Sequence, residues 1–397
     1  MNMPEKKLTR REMLKLAGLL GVAGAFGGAA SIAGEEATPA LPQVPRRVLG
    51  KTGEKIPILL VGAAMNLDQR FDPKLAEAMR FGVNYFDTAD CYAGGTSETA
   101  IGNFMQRTGK RKEIWITTKS DDHTPAGMVK VLERSLEKLQ TDHVELFFLH
   151  ALVDKKSLSP EMKQAVDNLK RSGKIKHFGF SCHNNTVAEL LNTAAALGWI
   201  DAIMFKYNFR EYGNVELNAA MDACHKANVG LIAMKTQGSA VSFAEQVKKF
   251  EGSPFTHHQA VLKAVWADDR ITAAVSHMDT LEKMKDNIAA ALDKRELSAL
   301  DRTGLQEFAA ATKCGYCAGC DHICGAALPP GIQVADTLRL LMYHDAYRDP
   351  LKARELFAKL PAPARQIEGV DFSRAAALCP NKVDLAKHMQ RAARVLA

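Results

Sequence analysis

Ile114-Trp115-Ile116-Thr117-Thr118-Lys119, then Thr124-Pro125 through Leu139, then Val144-Glu145-Leu146-Phe147-Phe148-Leu149-His150 is the stretch on which the fold turns. The outer runs are short and nearly continuously apolar. The middle run has helical periodicity, with Thr124 at its start and Pro125 in its first turn, where proline's fixed φ and missing N–H cost nothing. Continuous apolar strands separated by a helix imply a parallel sheet buried on both faces.

The same unit recurs in both directions. Upstream, Ile58–Gly62 and Asn84–Asp87 read as strands, Lys74–Phe81 as a helix, and Ser97–Gln106 as a helix that Ser97 can cap. Downstream, strands are expected at Ile175–Ser181, Ala202–Phe205, Gly230–Met234 and Ile271–Ser276. Helices are expected from Ser159-Pro160 and over Thr186–Leu197, Val215–Ala227, His257–Ala267 and Leu281–Leu292. Eight strand–helix units in about 250 residues are the size of a closed (β/α)8 TIM barrel. The competing α/β architecture, a doubly wound open sheet, lacks support because no G-x-G-x-x-G follows an early strand. Arg47–Gly53 and Lys55-Ile56-Pro57 read as a hairpin able to plug the barrel's bottom.

At 397 residues the chain exceeds one barrel. The expected organisation is a signal peptide over 1–33, a linker over 34–45, the barrel over 46–295 and a small, mostly helical domain over 296–397. The net charge of +7 is modest and spread along the chain, so solvated faces are expected and no nucleic-acid partner. At the N-terminus, Thr9-Arg10-Arg11-Glu12-Met13-Leu14-Lys15 precedes a soft Ala/Gly-rich run from Leu16 to Gly34. Ser31 and Ala33 put small side chains before a cut after Ala33. This resembles a twin-arginine (Tat) signal, which implies the Tat machinery as partner, a periplasmic address and no stable membrane span after processing.

In a barrel of this kind chemistry sits at the C-terminal ends of the strands. Asp87, Lys119 and His150 end three consecutive strands, and Tyr92 follows Asp87 in the next loop. A hydride reaching a carbonyl carbon leaves charge on the oxygen. Tyr92 is the candidate general acid/base, Lys119 the ammonium expected to lower its pKa, Asp87 the partner of Lys119, and His150 the orienter of substrate.

Gly82-Val83-Asn84-Tyr85-Phe86-Asp87-Thr88-Ala89-Asp90-Cys91-Tyr92 and Gly95-Thr96-Ser97-Glu98-Thr99-Ala100-Ile101-Gly102, with Ile116-Thr117-Thr118-Lys119 and Leu146–His150, resemble the aldo/keto reductase signatures. The resemblance covers about Arg46–Leu292. It implies NADP(H) or NAD(H) lying extended across the barrel mouth, and a small carbonyl or alcohol substrate. It carries Ser181 over to the nicotinamide amide, Tyr207 to the ring, Lys235 to the pyrophosphate, Lys283 to a 2′-phosphate and Asn287 to the adenine. Cys182 and Met204 stand where the family often has Asn and Gln, and His277 replaces a frequent Lys.

Eight cysteines are present, five of them in the last third. Cys314-x2-Cys317-x2-Cys320-x3-Cys324 has the spacing of an iron–sulfur loop. A distant Cys379-Pro380 follows, as in ferredoxin-like segments, which this end resembles. One 4Fe–4S cluster on Cys314, Cys317, Cys320 and Cys379 is expected, with Cys324 as the alternative fourth ligand. Its role is structural or electron relay, and a redox partner protein is a further expectation. A rival reading makes the protein an electron-transfer or redox-sensing module on a barrel that has lost nicotinamide turnover.

Overall fold

Eight parallel strands close into a barrel in the order β10-β3-β4-β5-β6-β7-β8-β9. They are β3 (Leu59–Gly62), β4 (Tyr85–Asp87), β5 (Trp115–Ser120), β6 (Val144–Leu149), β7 (Ile175–Cys182), β8 (Ala202–Lys206), β9 (Gly230–Met234) and β10 (Ala273–Ser276). This computed structural model describes residues 41–184, 186–237, 254–313, 317–345 and 349–397. Leu41–Ala397 form one compact unit. The expected signal, Cys314 and most of the loop between Gln237 and Phe255 lie outside the described residues.

Alternation along each strand builds two apolar layers. Leu146 and Phe148 of β6, and Ala202 and Met204 of β8, fill the barrel interior. Phe147, Leu149, Ile203 and Phe205 point outward into the layer shared with the helices. The hairpin β1 (Arg46–Val48) and β2 (Lys55–Pro57) pairs antiparallel and closes the bottom, with Leu49 and Ile56 joining the interior cluster. Its tip needs Gly50: φ is +48°, and a Cβ there would lie 2.4 Å from the backbone nitrogen of Gly230.

The barrel helices are α1 (Pro73–Arg80), α2 (Ser97–Thr108), α3 (Pro125–Leu139), α4 (Pro160–Arg171), α5 (Val187–Leu197), α6 (Val215–Lys226), α7 (His257–Trp266) and α8 (Leu281–Leu292). Thr124 and Ser159 cap α3 and α4, each with proline in the first turn. Ser97 does not cap α2. It is the first helical residue, and its hydroxyl donates to Ala63 O at 2.9 Å and pairs with Thr88 Oγ1 at 2.8 Å. The buried hydroxyl is spent on fastening α2 beneath the mouth. The last strand starts at Ala273, because Ile271 is still held in a turn by Asp268 O.

After the barrel come α9 (Ala299–Ala311), a one-turn α10 (Asp321–Cys324), α11 (Val334–Asp345), α12 (Pro350–Ala358), α13 (Ala362–Arg365), α14 (Ser373–Leu378) and α15 (Leu385–Leu396). These tail helices have their own core, with Leu340, Phe357, Phe372 and Met389 at its centre. Arg210, just past β8, donates to Ala309 O at 3.0 Å and Thr312 Oγ1 at 2.7 Å, which ties α9 to the barrel rim. Among the described residues no helix is long and apolar enough to cross a membrane.

Candidate active site

Three neighbouring strand ends bring their polar residues to one opening. Lys119 Nζ lies 2.7 Å from Asp87 Oδ1 and donates to Thr88 O at 2.7 Å. It also donates to the Tyr92 hydroxyl at 3.3 Å, and it lies 4.6 Å from that ring's centroid. The His150 ring meets Tyr92 edge to face, with centroids 5.5 Å apart. Asp87 and Lys119 are almost wholly buried, so the pair is rigid, and burial pushes the Asp87 carboxyl upward against the pull of Lys119.

One expectation is corrected here. Lys119 does not bring the Tyr92 phenol below its ordinary pKa. Its pKa is raised well above the ordinary phenol value, first by burial and then by Asp87, Cys91, Tyr343 and Asp121. Desolvation and surrounding negative charge outweigh the ammonium. Tyr92 therefore rests as a neutral acid, and Lys119 acts by stabilising the phenolate as the proton leaves.

His150 is held by a residue that no sequence motif singled out. Asp121, directly after β5, places Oδ1 at 2.6 Å from His150 Nδ1. Asp121 is held down to about 2: burial works against this, and the hydrogen bond donated by His150 Nδ1 prevails. Burial lowers His150, so the imidazole is neutral with its proton on Nδ1. Its Nε2 then presents a lone pair, which accepts from a hydroxyl but does not donate to a carbonyl.

The tail roofs this opening. Lys352 of α12 lies 4.5 Å from the Tyr92 ring centroid. Lys235, in the left-handed region just past β9, donates to the Tyr343 hydroxyl of α11 at 3.1 Å. Arg339 approaches the same oxygen at 3.5 Å. Burial alone would raise the pKa of Tyr343, but Lys235, Arg339 and Lys352 bring it down to about 7. An unfolded phenol titrates near ~10. Between those values the folded protein carries phenolate and the unfolded chain does not. Stability from this group is therefore present at high pH and is lost as pH falls through 7. We expect an ultraviolet phenolate signal titrating near neutrality that Tyr343→Phe removes. The gap in melting temperature between the two proteins should widen from about pH 6 to about pH 9.

The remaining cofactor candidates divide by strand parity. Ser181 faces the mouth, where its hydroxyl accepts from Ala151 N at 2.9 Å and so fixes the turn after His150. Tyr207 does not face a nicotinamide ring. It follows Phe205 on the outward face, packs against that ring and Tyr212, and donates to Asp268 at 2.6 Å. Lys206, one residue earlier, takes the mouth side and donates to Ala318 O of the tail. Asn287 is buried and donates to Ser276 Oγ at 2.9 Å, while Lys283 is exposed and paired with Asp279 at 2.6 Å. A cavity of about 910 Å³ opens beside the mouth, between Cys91 and Asp121 on the barrel and Glu355 and Lys359 near α12.

In the tail, Cys320 faces both Cys317 and Cys379 electrostatically, and Cys324 faces Cys320 and Cys379. Burial raises Cys317 to about 12 and Cys324 to about 11. Cys379 ends α14, and its sulfur accepts from Val383 N at 3.5 Å. Both candidates for a fourth ligand thus lie beside Cys320.

A closed eight-stranded parallel barrel with Asp, Tyr, Lys and His gathered at its C-terminal rim is the class of α/β protein that the fold and site define. The sequence profile of the aldo/keto reductase family matches residues 61–290, and the chain belongs to that family. It is 27% identical over 218 residues to the aldo-keto reductase yakc of Schizosaccharomyces pombe, whose name carries NADP(+). That match spans 49% of this chain and 62% of that protein. It is 28% identical over 251 residues to the aldo-keto reductase YhdN of Bacillus subtilis, spanning 59% of this chain and 69% of that one. Among solved structures, aldo-keto reductase AKR11C1 from Bacillus halodurans in its holo form superposes with a TM-score of 0.57 at 20% identity, covering 67% of this chain and 96% of that one. That likeness speaks to the fold.

Proposed function

We propose that this protein is a nicotinamide-dependent oxidoreductase acting on a small carbonyl or alcohol substrate. The observation that carries it is Tyr92 within 3.3 Å of Lys119, itself paired with Asp87, beside His150 at one barrel mouth. NADP(H) or NAD(H), when bound, supplies or accepts the hydride. Tyr92 gives its proton to the developing alkoxide, Lys119 steadies the phenolate left behind, and Asp87 keeps Lys119 charged and in place. Ser181, Lys235, Lys283 and Asn287 are the residues to hold the dinucleotide. Lys235 is engaged by Tyr343 in this closed form, so cofactor entry displaces that contact. The test is fluorescence titration with NADPH and NADH together with carbonyl reduction by Tyr92→Phe, argued below.

A second reading has its own support. Tail contacts to Lys206 and Lys235, Met204 and Cys182 in place of polar residues, and Tyr207 turned outward all suit a barrel that has given up nicotinamide turnover for electron transfer or redox sensing. Absence of any nucleotide binding favours that reading.

Two further features belong to the proposal. Residues 1–33 direct export by the Tat route to the periplasm, a route suited to a protein that folds with its cofactors first. The tail holds one 4Fe–4S cluster on Cys314, Cys317, Cys320 and Cys379. The electrostatic proximity of Cys317, Cys320 and Cys379 suits that donor set. Thiolates supply the charge that such a cluster requires, and burial limits solvent access to it. Iron and sulfide analysis of anaerobically purified protein should give four of each per chain, on the order set by the cluster formula. Cys379→Ala should lose the cluster and Cys324→Ala should keep it. The reverse outcome assigns Cys324 as the ligand.

A further inference from the structure

Cys91, Asp121 and His150 stand on three consecutive strand ends, after β4, β5 and β6. His150 Nδ1 is 2.6 Å from Asp121 Oδ1 and 3.7 Å from Cys91 Sγ, and the three donor atoms lie within 4.8 Å of one another. Cys91 and Asp121 also form the wall of the 910 Å³ cavity. We propose that these three side chains form a binding site for one divalent ion of zinc type, its fourth position open to that cavity.

The donor chemistry selects the ion. Thiolate, imidazole and carboxylate together suit a borderline-soft metal, whereas calcium or magnesium would want oxygen alone. Three protein ligands with one open position are the pattern of reactive zinc sites, and closed four-ligand sets that of structural ones. With metal–nitrogen near ~2.1 Å and metal–sulfur near ~2.3 Å, tetrahedral ligands sit roughly 3.6 Å apart. The observed sulfur–nitrogen separation of 3.7 Å meets this without movement. The carboxylate must retreat from the imidazole by roughly 0.8 Å to admit the ion. The Asp121 side chain is 49% exposed and has room to swing.

The surroundings add a second observation. Asp90 sits within electrostatic reach of Asp121 and His150, and its Oδ1 is buried with no hydrogen-bond partner. Asp90 also lines the cavity, and a ligand water there would give this oxygen the donor it lacks. Burial, Asp121 and Asp90 hold the empty-site Cys91 as a thiol, with Lys352 pulling the other way, so the ion itself must supply the charge that draws the thiol proton off.

Loading the site also resolves the tautomer problem. The Cys91 thiol proton leaves to solvent, and sulfur donates to the ion. Nδ1 of His150 donates its lone pair, so the single imidazole proton resides on Nε2. One proton is released per ion bound, and His150 then turns a donor toward a substrate oxygen.

The test is cobalt(II) titration of the full chain with its iron–sulfur segment filled, followed by absorption and by proton release in weak buffer. The wild type should take up one more equivalent than Cys91→Ala, with tetrahedral visible bands and a sulfur-to-cobalt charge-transfer band that Cys91→Ala lacks. Asp121→Ala should weaken binding by at least about tenfold. Cys224→Ala, altered only on a barrel helix outside both cysteine sites, should keep the band. Equal uptake and equal spectra for wild type and Cys91→Ala overturn the proposal, and so does a band that vanishes only in Cys224→Ala. Cys91→Ser, checked for an unchanged melting temperature, separates lost ligation from lost folding. Nucleotide titration of the same samples reports on the oxidoreductase reading alone, so the two can fail independently.

Discussion

Tyr92→Phe should lower carbonyl reduction by about 100- to 10,000-fold, the range expected when one positioned acid is removed. Nucleotide affinity should stay within about twofold, because the hydroxyl lost acts on the reacting oxygen. The ring itself remains. It still packs edge to face on His150 and stays within 4.6 Å of the ammonium groups of Lys119 and Lys352. The expected pattern is a fall in kcat with little change in nucleotide Kd. The pH dependence follows from the direction of the shift. Tyr92 is raised, so its acidic form persists across neutral pH and the reductive rate should fall only at high pH. Unchanged reduction of every carbonyl by Tyr92→Phe would remove the mechanism. Together with no binding of NADPH or NADH, it would leave the electron-transfer reading in its place.

Lys119→Met should lower stability by about 3–5 kcal/mol. Lys119 is 1% exposed and Asp87 4% by side chain, so removing the ammonium leaves a carboxylate enclosed by protein with its main counter-charge gone. The Thr88 carbonyl also loses its donor. Burial already pushes Asp87 upward, and loss of Lys119 pushes it further. A carboxyl whose folded pKa lies above its unfolded value contributes stability at low pH and loses it as pH rises through the folded value. The Lys119→Met protein should therefore recover stability on acidification relative to wild type. The double variant Asp87→Asn/Lys119→Met should recover much of the loss at neutral pH, as read from denaturation midpoints. Equal midpoints for wild type and Lys119→Met would show that the pair carries no structural load.

The barrel was legible because each strand carries its own instruction. Runs such as Leu146–Leu149 are apolar on both faces, which calls for a parallel sheet covered on both, and eight strand–helix units without an early G-x-G-x-x-G favour the closed barrel over the open sheet. Asp87, Lys119 and His150 were legible as a set because strand ends in such a barrel share one rim. Tyr207 was misplaced for a reason equally local. A shift of one residue reverses the side a strand residue faces, and the family motif did not carry that parity. Ser97 was misread because its hydroxyl has a partner across the chain at Ala63, a contact no helix-start signal encodes.

What the chain's order of residues determined alone is the barrel, its bottom hairpin, the Tyr–Lys–Asp–His set and the crowding of cysteines in the tail. These follow from periodicity and spacing, which are short-range properties. The tertiary structure decided the rest: that Tyr343, Arg339 and Lys352 roof the mouth, that Asp121 fixes the tautomer of His150, and that Cys91 joins them. Those relations join residues far apart along the chain, or on different strand ends. Their charges and desolvation come into being only when the tail closes over the rim.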